Sequence, residues 1–174
     1  MKEKISFQVK TGVKDLFTFL MYYNYKSFGG VMGLVISGVS LAMLAVTFPN
    51  NSFRSNLLLL FLGLLFTVIQ PLMLLQKAAS QKVKNPNFNE PLQYELGPEE
   101  IVLRQKEQEM TITWDTIVKV VESKQQILVF TSRVHAFVWP KEQLGEDSEQ
   151  IRQWVSEHVD QKICRWKKKK EAAA

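Results

Sequence analysis

The sequence predicts an α+β membrane protein, in which a two-helix transmembrane hairpin is followed by an antiparallel β-sandwich or barrel capped by a C-terminal helix. Three observations carry this expectation. Residues Phe28 to Leu75 contain a single ionisable side chain, Arg54. From Leu92 onward, short strand-like runs alternate with turn residues. Behind them Ile151, Trp154, Val155, His158 and Val159 recur at the 3.6-residue spacing of one helix face.

The uncharged block 28–75 divides into two runs, 28–48 and 57–75. A hydrocarbon layer of about 30 Å needs roughly 20 helical residues, and both runs meet that length. Within lipid the backbone must satisfy its own hydrogen bonds, so each run is expected as a helix. Two buried helices of a soluble protein are the alternative, but two uncharged runs of this length need a far larger soluble fold to cover them. The first run also starts too late and is too long for a cleaved signal peptide. Between the runs, Pro49 to Asn56 is rich in Pro, Asn and Ser, which are turn formers. So short a connection makes the helices antiparallel neighbours. Lys10, Lys14 and Lys26 flank the first run and Lys77, Lys82 and Lys84 flank the second, whereas the loop has only Arg54. Cationic flanks mark the cytoplasmic side. Both termini are therefore expected in the cytoplasm, in a multi-pass protein of a cell membrane.

Small residues predict how the two helices touch. Ser37, Gly38 and Ala42 are expected to face Gly63 and Thr67, because small side chains let helix backbones approach closely. The stripe Gly29/Gly33 offers the alternative of a homodimer contact. Pro71 lies inside the second run, where it removes a backbone donor and predicts a kink, with Gln70 placed to bond the loosened backbone.

Residues 1–27 read as a strand followed by an amphipathic helix. Ile5, Phe7 and Val9 alternate, then Val13, Leu16, Phe17, Leu20 and Met21 follow helical spacing. Tyr22, Tyr23 and Tyr25 stand where an interfacial aromatic belt is expected. The strand and the C-terminal domain are predicted on one side, so they are available to pair.

The formal charge of +5 is the sum of unlike parts. Residues 85–163 hold eight Lys or Arg against fourteen Asp or Glu, a net of −6. The positive charge sits beside the apolar runs and in the tail. That distribution points to a membrane surface as partner and excludes a nucleic-acid duplex, which needs a basic face on the folded domain. The one cysteine, Cys164, allows no intrachain disulfide.

Residues 76–91 read as a linker and 92–166 as the cytoplasmic domain. Its expected strands are 92–96, 101–104, 110–114, 117–122, 127–131 and 134–139, separated by turn signals such as Gly97-Pro98 and Ser132-Arg133. Asp147 with Gln150 resembles a capping box at the start of the final helix. An antiparallel sheet closed by one C-terminal helix is the order of a pleckstrin-homology-like domain.

The stretch Ile112-Thr-Trp114-Asp-Thr-Ile117-Val-Lys-Val120, preceded by a strand, a helix and two adjacent spans, resembles the YcxB-like family of bacterial membrane proteins. Phe137-Val-Trp-Pro140 before an acidic helix fits the same pattern. The resemblance implies a C-terminal domain similar to bacterial pleckstrin-homology domains and carries no catalytic signature. Related membrane-attached domains are linked to envelope stress and bacteriocin immunity, an analogy of fold alone.

Chemical candidates are few. His135 and His158 have no partner at metal-ligand spacing, so no metal site is expected. Cys164 beside Arg165 and a lysine run has the surroundings that lower a thiol pKa, which makes it the one candidate nucleophile of an enzymatic reading. Glu99 and Glu100 fall at a turn, as solvated surface. No cofactor motif is present. The tail 167–174 with its neighbours Arg165 and Trp166 presents Lys167, Lys168, Lys169 and Lys170 in succession, a pattern suited to anionic lipid. Lys77, Lys82 and Lys84 join it as expected membrane-surface residues. The leading expectation is a non-enzymatic integral membrane protein whose domain binds a protein or lipid partner. The rival is a bacteriocin-immunity or envelope-stress protein acting through its hairpin.

Overall fold

The computed structural model describes residues 4–167, which form two compact units. One joins the residues up to Asp15 to those from Asn85 onward, and the other is Leu16–Lys84. The first is thus discontinuous in sequence, with the second inserted after its first strand.

In the discontinuous unit, β1 (Ile5–Val9), β2 (Leu92–Leu96), β3 (Glu100–Gln105) and β4 (Gln108–Thr113) form an antiparallel sheet in sequential order. The N-terminal strand pairs from Ile5 opposite Leu96 to Val9 opposite Leu92. This register puts Ile5, Phe7 and Val9 on the same face as Leu96, Tyr94 and Leu92, and a slip of one residue would turn all of them outward. The second sheet has the order β7 (Ala136–Pro140), β6 (Gln126–Phe130), β5 (Lys119–Glu122), β8 (Cys164–Arg165). Neither sheet closes on itself, so the barrel expectation gives way to two open sheets. β8 runs parallel to β5, which also corrects the expectation of purely antiparallel pairing.

One core lies between the sheets. Ile5, Val9, Tyr94, Leu96, Ile101 and Leu103 come from one, and Val120, Ile127, Val129 and Trp139 from the other. Ile151 and Val155 of α6 (Asp147–His158), with Val159 beyond it, close that core. Trp139 is fully buried and meets Phe7 and Tyr94 edge-on, at centroid distances of 5.2 and 5.5 Å. Such pairs add about 0.5–1.5 kcal/mol beyond the burial of area. Burial also pushes the Tyr94 phenol far above its ordinary range.

Local details depart from the pattern where a polar group needs a partner. Trp114, expected in a strand, sits in a 3₁₀ turn over Trp114–Thr116. There its buried Nε1–H donates to the Gly97 carbonyl at 3.0 Å. Asp147 lies inside the first turn of α6 and not before it. Glu146 holds the N-cap position without a side-chain bond, so no capping box forms. The β3–β4 turn holds Lys106 at φ +53°, a left-handed conformation that disfavours any side chain.

The helical unit contains α1 (Val13–Tyr25) from Leu16 onward, α2 (Phe28–Thr47), α3 (Phe53–Leu64), a π-helical segment (Leu65–Ile69) and α4 (Gln70–Lys84). Ser27 and Ser52 cap α2 and α3 by accepting from the N–H groups of Gly30 and Ser55 at 3.1 and 3.3 Å. The turn into α2 is so tight that a Cβ on Gly30 would lie 2.0 Å from the Asn24 carbonyl oxygen. The last three pieces make one continuous helix from Phe53 to Lys84. It therefore begins before the expected Leu57 and passes the expected Leu75. The segment 76–84 is helix and not linker, because Gln76 to Lys84 lacks a breaker until Asn85-Pro86.

Two helices, Phe28–Thr47 and Phe53–Lys84, are long and apolar enough to cross a membrane. Only 22% and 11% of their apolar windows are buried.

Candidate functional site

The helical unit is organised around Phe66. In a regular helix its N–H would donate to the Leu62 carbonyl and its C=O would accept from Gln70. Here each of these groups has another partner. The Ser37 hydroxyl stands between the first pair, accepting from Phe66 N–H at 3.3 Å and donating to the Leu62 carbonyl at 2.8 Å. The Gln70 N–H turns instead to the Leu65 carbonyl, one residue further back. The Phe66 carbonyl, released, accepts from the Tyr25 hydroxyl at 2.5 Å. A side chain inserted into the helical ladder is a recognised cause of such distortion, and a π segment is its local form. The ring of Phe66 lies against Gly33, where a Cβ would meet it at 2.2 Å. Thus a glycine and a serine of α2 and a tyrosine of α1 hold one residue of the second apolar helix.

Of the five residues expected between the helices, two stand at this contact. Ser37 is fully buried, and Gly63 packs so closely on Leu41 that a Cβ would lie 2.5 Å from its side chain. Gly38 and Ala42 are corrected to the exposed face, and nothing approaches within 4 Å of the Cβ position of Gly38. Thr67 is exposed and bonds its own helix, donating to the Gly63 carbonyl at 2.8 Å. Residues four apart can mark either of two neighbouring faces, and the face that closes is Gly33, Ser37 and Ser40. Gly33 is consumed within the chain, while the Cβ position of Gly29 is open. Tyr25, expected in an aromatic belt, and Phe66 are the functional positions that spacing did not single out. Pro71 was the available signal for the π segment.

The expected membrane-surface residues are placed differently from one another. Lys77 and Lys84 are exposed and Lys82 is half-buried at the end of α4. Arg165 is exposed in β8, opposite Val121. Trp166 packs against the sheet core with the Arg152 guanidinium 5.3 Å from its ring centroid. Lys167 is exposed, and its N–H donates to Glu122 at 2.9 Å. Lys168, Lys169 and Lys170 lie outside the described residues.

Glu122 is the polar hub of this C-terminal attachment. Its side chain is 6% exposed, and its carboxylate meets Lys141 Nζ, Arg152 Nη1 at 3.8 Å and the Lys167 N–H. It thereby ties β5 to α5 (Lys141–Leu144), α6 and the segment after β8. The outer face of the first sheet carries a charge ladder. Lys4 meets Glu95 at 2.6 Å, Glu95 meets Arg104 at 2.8 Å, and Arg104 meets Glu109 at 2.8 Å. Hydrogen bonds from Lys4 and then Arg104 hold the Glu95 carboxyl below its ordinary range. A 290 Å³ hollow beside this ladder is lined by Gln8, Gln93, Glu95, Val102 and Arg104 among others.

The chemical candidates are dispersed. The His158 ring is stacked between those of Trp114 and Trp154, at 5.2 and 4.9 Å, and its Nδ1 bonds the Trp154 carbonyl at 2.8 Å. His135 lies at the β6–β7 turn, bonded to Ser132 at 3.1 Å. Cys164 is half-buried in β8, and burial, then the nearby Asp160, push its thiol up. That is opposite to the lowering expected from its basic sequence neighbours. Among the described residues no group of His, Cys, Asp and Glu is placed to hold a metal ion.

These features define an α+β protein with two long apolar helices and two open four-stranded sheets. Its residues 96–155, from the end of β2 into α6, match the sequence model of a family described as YcxB-like protein, and over that stretch the resemblance read from the residues holds. No curated protein and no solved structure matches the chain.

Proposed function

We propose that the protein is a multi-pass membrane protein of a bacterial cell, anchored by Phe28–Thr47 and the Phe53–Lys84 helix, whose sheet unit serves as a cytoplasmic binding module. The observation that carries this reading is the reversed burial of α2 and α3. Gly30, Gly33, Ser37, Ser40 and Gly63 are inside, whereas Val35, Ile36, Val39, Met43, Leu58 and Phe61 are each exposed. Water penalises such a surface and a bilayer does not. The cationic flanks support cytoplasmic termini.

The module has the order of a pleckstrin-homology-like domain: four strands, three strands, and a C-terminal helix closing the core. In this reading β1 is contributed from before the hairpin. The acidic module acts by binding a protein or lipid partner and carries out no chemistry. A bacteriocin-immunity or envelope-stress role is the second reading, favoured only by the hairpin itself. Enzymatic use of Cys164 is disfavoured by the upward direction of its thiol pKa.

Reporter fusions at Asn51 and at the C-terminus test the topology and should report opposite sides. A pull-down of the full chain from native membranes, with anionic liposomes as a parallel probe of the sheet unit, tests the binding role. Recovery of neither a partner nor liposomes would sink it, whatever the topology result. Unchanged sensitivity to membrane-active peptides after gene deletion counts against the second reading.

A further inference from the structure

We infer that Leu65–Ile69 is a register switch in the second apolar helix, with Phe66 as its pivot and the Tyr25 and Ser37 hydroxyls as its catch. Gln70 N–H has two alternative acceptors, the Leu65 carbonyl of π winding and the Phe66 carbonyl of regular winding. In the present form it takes Leu65 C=O and leaves Phe66 C=O to Tyr25. In the regular form it takes Phe66 C=O, and Phe66 N–H recovers Leu62 C=O from Ser37. Each form pairs the Gln70 N–H and both backbone groups of Phe66. What differs is who supplies the partners. The present form depends on two hydroxyls from outside the helix, one on α1 and one on α2. Pro71 biases the choice as well, because it has no N–H for the Thr67 carbonyl that regular winding would direct toward it.

Phe66 does not move in the exchange, since its ring is seated on Gly33. The residues after it do. A π segment accommodates one residue more than regular winding, and each residue of an α-helix turns the chain by roughly 100°. Loss of the segment would therefore turn α4 by about that angle relative to α3, and each angular position would pass to the residue one place earlier. α4 runs in sequence directly into the second part of the sheet unit. A change at Tyr25 or Ser37 is thus converted into rotation of the segment that enters that unit.

Single cysteines introduced at residues 77 and 78 of the full-length chain, in a Cys164→Ser background in lipid nanodiscs, report the register through their rate of labelling by a water-soluble maleimide. Ala78 is fully buried and Lys77 exposed, so Ala78→Cys should label slowly and Lys77→Cys quickly. Adding Tyr25→Phe and Ser37→Ala should slow Lys77→Cys, which takes the buried position of Ala78, by about tenfold, and should speed Ala78→Cys, which takes the half-buried position of Ala79, by less. Pro71→Ala, with both hydroxyls retained, should move them in the same direction by less. Retention of the original pattern in both backgrounds overturns the switch. If the double variant labels quickly at both positions through unfolding, the Pro71→Ala background decides, and an unchanged pattern there overturns it equally.

Discussion

The sheet core and the contact between α2 and α3 bury different kinds of residue. In the sheet unit Trp139, Leu96, Ile101, Ile127, Ile151 and Val155 are inside and the charge ladder of Lys4, Glu95, Arg104 and Glu109 is outside. In the helical unit Leu16, Leu20, Leu74 and Ala78 are buried on α1 and α4, but on α2 and α3 the buried residues are glycine and serine and large aliphatic side chains cover the surface. The sheet core is held by removing apolar area from water, and the contact between α2 and the second apolar helix by close backbone approach and a hydroxyl bridge. The difference teaches that hydrophobicity alone does not mark a core. Leucine is a core residue at Leu96 in one unit and an exposed one at Leu58 in the other.

Substitutions should separate the two regimes. The largest expected effect is Trp139→Ala, which removes the aromatic centre of the sheet core and should cost about 3–5 kcal/mol in thermal or denaturant unfolding. Leu58→Ala in the helical unit, at a side chain 58% exposed, should change stability in micelles by less than about 0.5 kcal/mol. Equal losses at the two sites would break the comparison. In the helical unit the sensitive change is an enlargement. Gly33→Val forces a side chain into the Phe66 ring and should cost roughly 1–3 kcal/mol, whereas Gly38→Val, where the space is open, should be nearly neutral. Heat-induced aggregation of the two variants in detergent reads this difference, and a reversed order would place the helix contact on the wrong face.

Smaller effects sharpen the sheet side. Lys106→Gly relieves a left-handed side chain and should stabilise by about 0.5–1 kcal/mol, measured by a shift in midpoint at unchanged slope. The smallest is a pH effect. The Glu95 carboxyl is depressed in the folded state, so its contribution is present above the ordinary carboxylate pKa and is lost as pH falls through the lower folded value. Stability profiles should show Glu95→Gln losing part of that acid limb, and identical limbs for both proteins would remove the ladder from the account.

Much of the architecture was legible because it follows from periodicity. The alternation at Leu92–Leu96, the short apolar run from Ile101 and the Ile151/Val155 stripe needed no tertiary knowledge. β8 was not legible, because two residues have no period and its pairing depends on β5. The extension of the second helix to Lys84 was hidden because hydropathy ends at Leu75 while helix propensity does not. Gly38 and Ala42 share the small size and four-residue spacing of the true contact, and only the position of the second helix decides between faces. The π segment leaves no hydropathy trace. Pro71 announced a distortion there, but not the hydroxyls of Tyr25 and Ser37 that complete it. The pairing of β1 with β2 spans the whole inserted hairpin, so no local pattern could name the partner strand.

The central claim is that the aliphatic surface of the helical unit faces lipid. Alkaline carbonate washing of membranes from cells expressing the full chain tests it most directly. The account predicts that the protein remains in the membrane pellet and is released only by detergent. Recovery in the carbonate supernatant as a monodisperse, folded protein would contradict it.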